Sequence, residues 1–185
     1  MTIRDLYDLP WIGDGAVLDL ANTVLVGAAQ DRTDIDVLAD PALTARWRAR
    51  AADRRLSALP LADLVELRAP VRAALDAAAG KRAVPDGARS ALNELAATAP
   101  VVLRVTADGR LEQQDHGGGP AEAVARETLV LVAGPDHARL RRCPAPSCGM
   151  FFVARRRDQA WCTVGCGNRA RSTRRRPREA TDGAE

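Results

Sequence analysis

The sequence predicts an α+β protein: a mostly helical body with one β-hairpin, followed by a small C-terminal module of a different kind. Three observations carry this prediction. Hydrophobic residues make up 46% of the 185, but aromatics only 3%. A sizeable core can therefore form, built mainly from Ala, Leu and Val, a composition that favours helices. Apolar residues recur at helical spacing through most of the first 133 positions, interrupted by one alternating stretch. All four cysteines lie in the last quarter of the chain.

The elements follow in order. Gly15–Ala29 places Val17, Leu20, Ala21, Val24, Leu25 and Ala28 on one helical stripe. Asp31–Asp40 reads as acidic and irregular. Asp40 then suits an N-cap, with Pro41 at the first helical position and Leu43 and Trp47 facing inward. Leu59–Lys81 reads as one long helix containing Pro70, a point where it can bend. The stretch from Val84 predicts another helix, stopping before Pro100. Alternation on both sides of Asp108-Gly109 predicts a hairpin of Val101–Val105 and Arg110–Gln113. Pro120 opens a last body helix through Ala133, and Gly134-Pro135-Asp136 marks a boundary. The expected organisation is a body over 1–134, a finger over 138–178 and a tail over 179–185.

Charge is distributed unevenly. Residues 1–138 hold 15 basic and 20 acidic side chains, whereas 139–178 hold 12 arginines and one acid, Asp158. This asymmetry predicts an acidic body carrying a basic arm for a polyanion. The arginine bias itself (one lysine in the whole chain, Lys81) carries less weight than the clustering. No apolar run approaches the roughly 20 residues of a membrane span. The acidic start has no apolar signal core, so the expected location is the cytoplasm, where cysteines are seldom bridged.

Cys143, Cys148, Cys162 and Cys166 form a C-x4-C-x13-C-x3-C pattern. Two close pairs separated by a connector can supply the four tetrahedral ligands of a structural Zn2+. The first pair flanks Pro-Ala-Pro-Ser and is followed by Gly149; the second is spaced i, i+4, so its sulfurs share a helix face. A knuckle, a strand at Met150–Val153, a basic turn and a ligand-bearing helix make a treble-clef-like zinc finger. A disulfide pair and an iron–sulfur cluster are the alternatives, and the layout favours zinc. With four thiol ligands no open position remains for water, so the metal is expected to be structural. A module of about forty residues buries too little to fold alone. Loss of one thiolate is thus expected to unfold the finger and spare the body.

The basic helix is expected over Thr163–Arg176. With Cys162 at zero on the wheel, Cys166 falls near 40° and Arg171, Arg174 and Arg175 at roughly 120–220°. They share the face away from the metal, joined by Arg178 only if the helix survives Pro177. Arg169 falls on the metal side, where it can offset the charge of about −2 on a tetrathiolate zinc. That outer face suits phosphates of double-stranded DNA, Asn168 suits adenine recognition, and the candidate DNA contacts are Asn168, Arg169, Arg171, Arg174, Arg175 and Arg178.

Cys166-Gly167-Asn168-Arg169 resembles the four-letter signature of the CGNR zinc finger family, as does the layout of residues 139–176. Leu18–Thr23, LDLANT, resembles the opening motif of the ABATE domain that precedes such fingers. The run from Asp36 to Leu43 with Trp47, and the pairs Leu67-Arg68 and Leu92-Asn93, fit as well. The resemblance implies a stress-induced bacterial transcription regulator, with the four cysteines as zinc ligands, the finger on DNA and the body as a ligand-sensing or interaction domain. Family members often carry an acid after the Phe-Val of the strand, where this chain has Ala154.

Asp19, Asn22 and Thr23 cluster at i, i+3 and i+4. They line an effector pocket on one reading and pin the helix by internal hydrogen bonds on the other, which is favoured. No enzyme is expected: His116 and His137 sit in loop sequence outside any recognisable triad, and no phosphate-binding loop is present. The competing functional readings are a protein-interaction module, docking an acidic partner or a second copy as a homodimer, and a small-molecule-binding body capped by a structural finger.

Overall fold

The computed structural model describes residues 9–25 and 34–179, without the side chains of 115 and 174–179. Helix α1 (Ala16–Ala21) buries Val17, Leu20 and Ala21. It ends earlier than the apolar stripe predicts. Thr23 Oγ1 donates to Leu20 O at 2.8 Å, and such local bonds compete with helix propagation. The chain turns at Asn22-Thr23 and leaves as strand β1 (Val24–Leu25), antiparallel to β2 (Ile35–Asp36). The remainder of the predicted stripe, with Ala28, lies outside the described residues. The stretch before Asp40 is more regular than its composition suggests, holding β2 and a 3₁₀ turn over Val37–Ala39.

Helix α2 (Pro41–Arg50) starts as expected, with Asp40 Oδ1 accepting from the Ala42 and Leu43 amides at 2.8 and 2.9 Å. A short helix, α3 (Arg54–Ser57), is capped by Asp53. Helix α4 (Leu61–Ala79) accommodates Pro70 and buries Leu64, Leu67, Val71, Ala74, Leu75 and Ala78, the 3.6-residue stripe. Helix α5 (Asp86–Ala97) stops before Pro100. The hairpin of β3 (Val101–Val105) and β4 (Leu111–Asp115) pairs Leu103 with Gln113 and stands apart from the other sheets. Helix α6 (Pro120–Ala133) packs with α4 and α5 around Leu75, Leu92 and Val124. After a 3₁₀ turn come β5 (Leu140–Arg142), β6 (Phe151–Val153) and helix α7 (Val164–Glu179).

The polar residues of α1 and its exit are bonded within the fold. Asp19 is fully buried; its carboxylate accepts from Gly13 N at 2.7 Å and Ala52 N at 2.8 Å, while its carbonyl accepts from Trp47 Nε1 at 3.0 Å. Burial pushes the Asp19 carboxyl above its ordinary pKa, and the two backbone donors oppose that shift. Thr23 Oγ1 also accepts from Arg68, whose guanidinium forks onto Asp36 at 2.6 and 2.7 Å. That fork holds the Asp36 carboxyl below its usual value. These bonds tie α1, α2, β2 and α4 together.

Asn22 works at longer range. Its Nδ2 donates to Phe151 O at 3.0 Å and its Oδ1 accepts from Phe151 N at 2.9 Å. One side-chain amide thus pairs like a strand with β6, 129 residues away. Phe151 and Leu140 belong to the main core with Leu20, Trp47 and Leu75. Leu25 from the body packs instead with Cys143, Cys148 and Met150. Arg142 on β5 bonds Asp76 on α4 at 2.5 Å. The two parts therefore share cores. This packing predicts that loss of a metal ligand is felt in the body, against the expectation that the body is spared, because Phe151 is a wall of the body's own interior.

Asn22→Ala leaves the buried Phe151 N–H and C=O unpaired, which should cost about 2–4 kcal/mol. Asn93→Ala, on the exposed face of α5, should cost less than about 0.5 kcal/mol. Denaturant unfolding of the metal-loaded chain measures both, and equal losses would remove Asn22 from this role.

Candidate metal centre

Strands β5 and β6 pair antiparallel, Leu140 with Val153 and Arg142 with Phe151, and the first two cysteines sit on the knuckle that joins them. Cys143 N donates to Met150 O at 2.8 Å, closing the loop. The loop turns tightly through left-handed backbone at Ser147 (φ 58°) and Gly149 (φ 64°), the latter a conformation glycine adopts without strain. Arg141 clamps the following basic turn by donating to Gln159 O and Arg157 O, both at 2.6 Å. The second pair lies at the start of α7. Thr163 Oγ1 accepts from Cys166 N at 3.2 Å, an N-cap contact at the ligand itself.

All four sulfurs lie within 4.8 Å of one another. Cys148–Cys162 and Cys162–Cys166 are each 3.5 Å apart, too far for the roughly 2.05 Å of a disulfide, and all four cysteines are free. A tetrahedron with Zn–S near 2.3 Å has sulfur edges of about 3.8 Å, so the cluster fits a zinc-binding site. Cys143, Cys148 and Cys166 are buried.

Hydrogen bonds from Cys148 and Cys162 pull the Cys143 thiol far down, to about 2. Serving as that donor pushes Cys148 up to about 12, and Cys162 is pushed up for the same reason. A second thiolate in this space needs a cation beside it.

Each letter of the Cys-Gly-Asn-Arg run has a local task. Cys166 supplies a sulfur. Gly167 is buried, and a Cβ there would come within 3.2 Å of Trp161 Cε3, so glycine lets the indole lie on the helix. Asn168 is exposed and its Oδ1 accepts from Arg171 Nη2 at 2.6 Å; Arg171 also lies 5.7 Å over the Trp161 ring. Arg169 turns back, its Nη2 donating to Cys166 Sγ at 3.2 Å. Arg169 Nε and Trp11 Nε1 are buried donors without a partner among the described residues. Both residues line a cavity of about 230 Å³ beside the cysteines. Such donors suit an anionic tetrathiolate. Trp11 carried no sequence signal, since its contact with this module exists only in three dimensions.

The predicted residues thus fall into three groups. The four cysteines come together with Arg169. Asn168 and Arg171 pair on the exposed side of α7. Asp19, Asn22 and Thr23 are buried and bonded as described above. The backbone of α7 runs through Pro177 to Glu179, past the expected end. It therefore includes Arg174, Arg175 and Arg178, whose side chains lie outside the described residues. Ala154, where an acid was expected from the resemblance, is buried; its carbonyl accepts from Arg139 Nε at 2.8 Å. His116 and His137 are exposed. No described helix is long and apolar enough to cross a membrane.

Metal binding must displace protons from at least Cys148 and Cys162, so affinity rises with pH. Competition with a chelator between pH 6 and 8 should show log K climbing by at least about 2 per pH unit; a flat profile would contradict this ligand set. Chelation should also speed amide exchange in α1 and α4, not only in 140–170, because Phe151 bridges the cores. Exchange confined to 140–170 would restore the independent finger.

Residues 139–179 match the CGNR zinc finger. Residues 14–135 match ABATE, described as "putative stress-induced transcription regulator". No curated protein matches the chain. The chain belongs to the ABATE family, with a CGNR zinc finger following the family's body.

Proposed function

We propose that this protein is a zinc-dependent, DNA-binding transcription regulator in which the ion holds α7 in position and α7 meets the duplex. One observation carries this reading: Cys166, one of the four clustered cysteines, lies in the first turn of the basic helix, so an ion held by the cluster would fix that helix's exposed residues. Asn168 and Arg171 stand on the solvent side of α7, and Arg171 is braced on Trp161. Arg174, Arg175 and Arg178 follow in the same helix, and Arg155–Arg157 are exposed on the preceding turn. Twelve arginines against one acid over 139–178 supply the charge that phosphates require. Zn2+ would be held by Cys143, Cys148, Cys162 and Cys166 and serves structure, since four thiolates complete its coordination.

If four to six arginines meet phosphates, log K falls with log salt at a slope of about −4 to −5. Replacing Arg171, Arg174 and Arg175 by Ala should flatten the slope by about 3. Fluorescence anisotropy over a salt series tests this, and equal, salt-insensitive affinities would end the reading.

A second reading, an effector-responsive body, has its own support. Between α4 and α5 lies an apolar cleft of about 640 Å³ lined by Leu67, Pro70, Ala73, Ala91 and Leu95, with Asp63 and Glu66 also at its wall. It suits a small, apolar, cationic ligand. A rhodamine-type lipophilic cation should bind the intact chain, and Ala91→Trp should reduce that binding at least tenfold, by about 1.4 kcal/mol. Unchanged binding in Ala91→Trp would remove the cleft from consideration.

A further inference from the structure

The β3–β4 hairpin exposes Val102, Leu103, Val105 and Leu111 at 45, 60, 67 and 64%. Among the described residues it has no third strand. A two-stranded hairpin is marginal in water, and an open apolar edge invites another strand. This edge carries little of the usual protection: β3 has no Lys, no Pro and no bulge in its register, and Arg104 is its one charge.

The hydrogen bonds define the edge. Thr106 N donates to Arg110 O at 2.8 Å at one end of the hairpin, and His116 N to Pro100 O at 2.9 Å at the other. Bonded and non-bonded pairs alternate along an antiparallel ladder. Arg104–Glu112 and Val102–Gln114 are therefore the bonded pairs inside the hairpin. Val101, Leu103 and Val105 turn their N–H and C=O groups outward. The three residues offering backbone to a newcomer are the three that carry apolar side chains on one face.

We propose that the open edge of β3 is a homodimer surface, pairing antiparallel with β3 of a second copy about a two-fold axis through Leu103. That operation sets Leu103 against its own counterpart and Val101 against Val105. All three pairs then fall on outward-facing backbone and form about six N–H···O=C bonds. The pattern Val-Val-Leu-Arg-Val is self-complementary in this register: apolar meets apolar on one face. On the other, Arg104 lies opposite Val102 of the copy and beside its own Glu112, so like charges do not face each other. The β4 edge offers Leu111, Gln113 and Asp115 at the equivalent positions, which lacks this match. The result is a four-stranded sheet with the isologous symmetry of a C2 interface. This inference does not rest on the DNA-binding reading.

The test uses the metal-loaded full chain. Across a bonded antiparallel pair the Cα atoms are about 5.5 Å apart, within disulfide range. Leu103→Cys should therefore cross-link to its counterpart under mild oxidation, identified by peptide mapping as a 103–103 bridge. Val102→Cys faces position 104 of the copy and should not. Leu103→Pro removes an N–H that the hairpin itself does not use, so the hairpin survives. It should raise the dimer dissociation constant at least about tenfold, read by sedimentation equilibrium with circular dichroism as the folding control. A chain that stays monomeric at about 0.1 mM, corresponding to a dissociation constant weaker than that, would overturn the proposal. So would cross-linking of Val102→Cys as readily as Leu103→Cys, or a dimer indifferent to Leu103→Pro.

Discussion

Four sulfur atoms held within 4.8 Å of one another in a largely buried site form the constraint on which the C-terminal module, residues 139–179, depends. Left to themselves the thiols share protons, one driven low and its neighbours high. A doubly charged cation would resolve the conflict by taking thiolate from every side. The surrounding architecture is arranged for that outcome. Thr163 caps α7 at the Cys166 amide, Arg169 reaches back to the Cys166 sulfur, and the N-terminal end of α7 adds its own favourable field for negative charge.

The centre does not stand by itself. Asn22 grips the backbone of Phe151, Phe151 completes the body's interior, and Leu25 completes the interior around the cysteines. Arg72 and Arg142 both lie over the Phe151 ring, at 5.5 and 5.7 Å. A stability change on either side is therefore expected to reach the other. On the proposed function, this is a physical route by which the state of the body reaches the helix that meets DNA, without an extended linker between them.

Much of this was legible in residue order. The helices from Pro41, Leu61, Asp86 and Pro120, and the Val101–Asp115 hairpin, follow local rules: an aspartate cap, a proline in the first turn, a 3.6-residue stripe, alternation about Asp-Gly. The errors fall where a distant contact overrides a local preference. The stripe from Gly15 favours a long helix, yet it ends at Asn22 and Thr23, whose side chains bond Phe151 and Arg68 far along the chain. Strand β5 was not foreseen. Leu140–Arg142 is too short and too charged to alternate, and it is a strand only because Phe151–Val153 lies beside it.

The sequence by itself determined the kind of chemistry: thiols at the spacing of a metal site, an arginine-rich helix beginning on the last of them, and an acidic helical body before them. These are properties of composition and short-range spacing, which chain order states directly. Only the tertiary structure decided what Asn22 is for, why Gly167 must be small and that Phe151 belongs to two units at once. It also decided that the outward backbone of β3 coincides with its apolar face. Those are relations between residues up to 129 positions apart, or between strand partners, and they exist only once hydrogen-bond geometry and close packing have selected one arrangement.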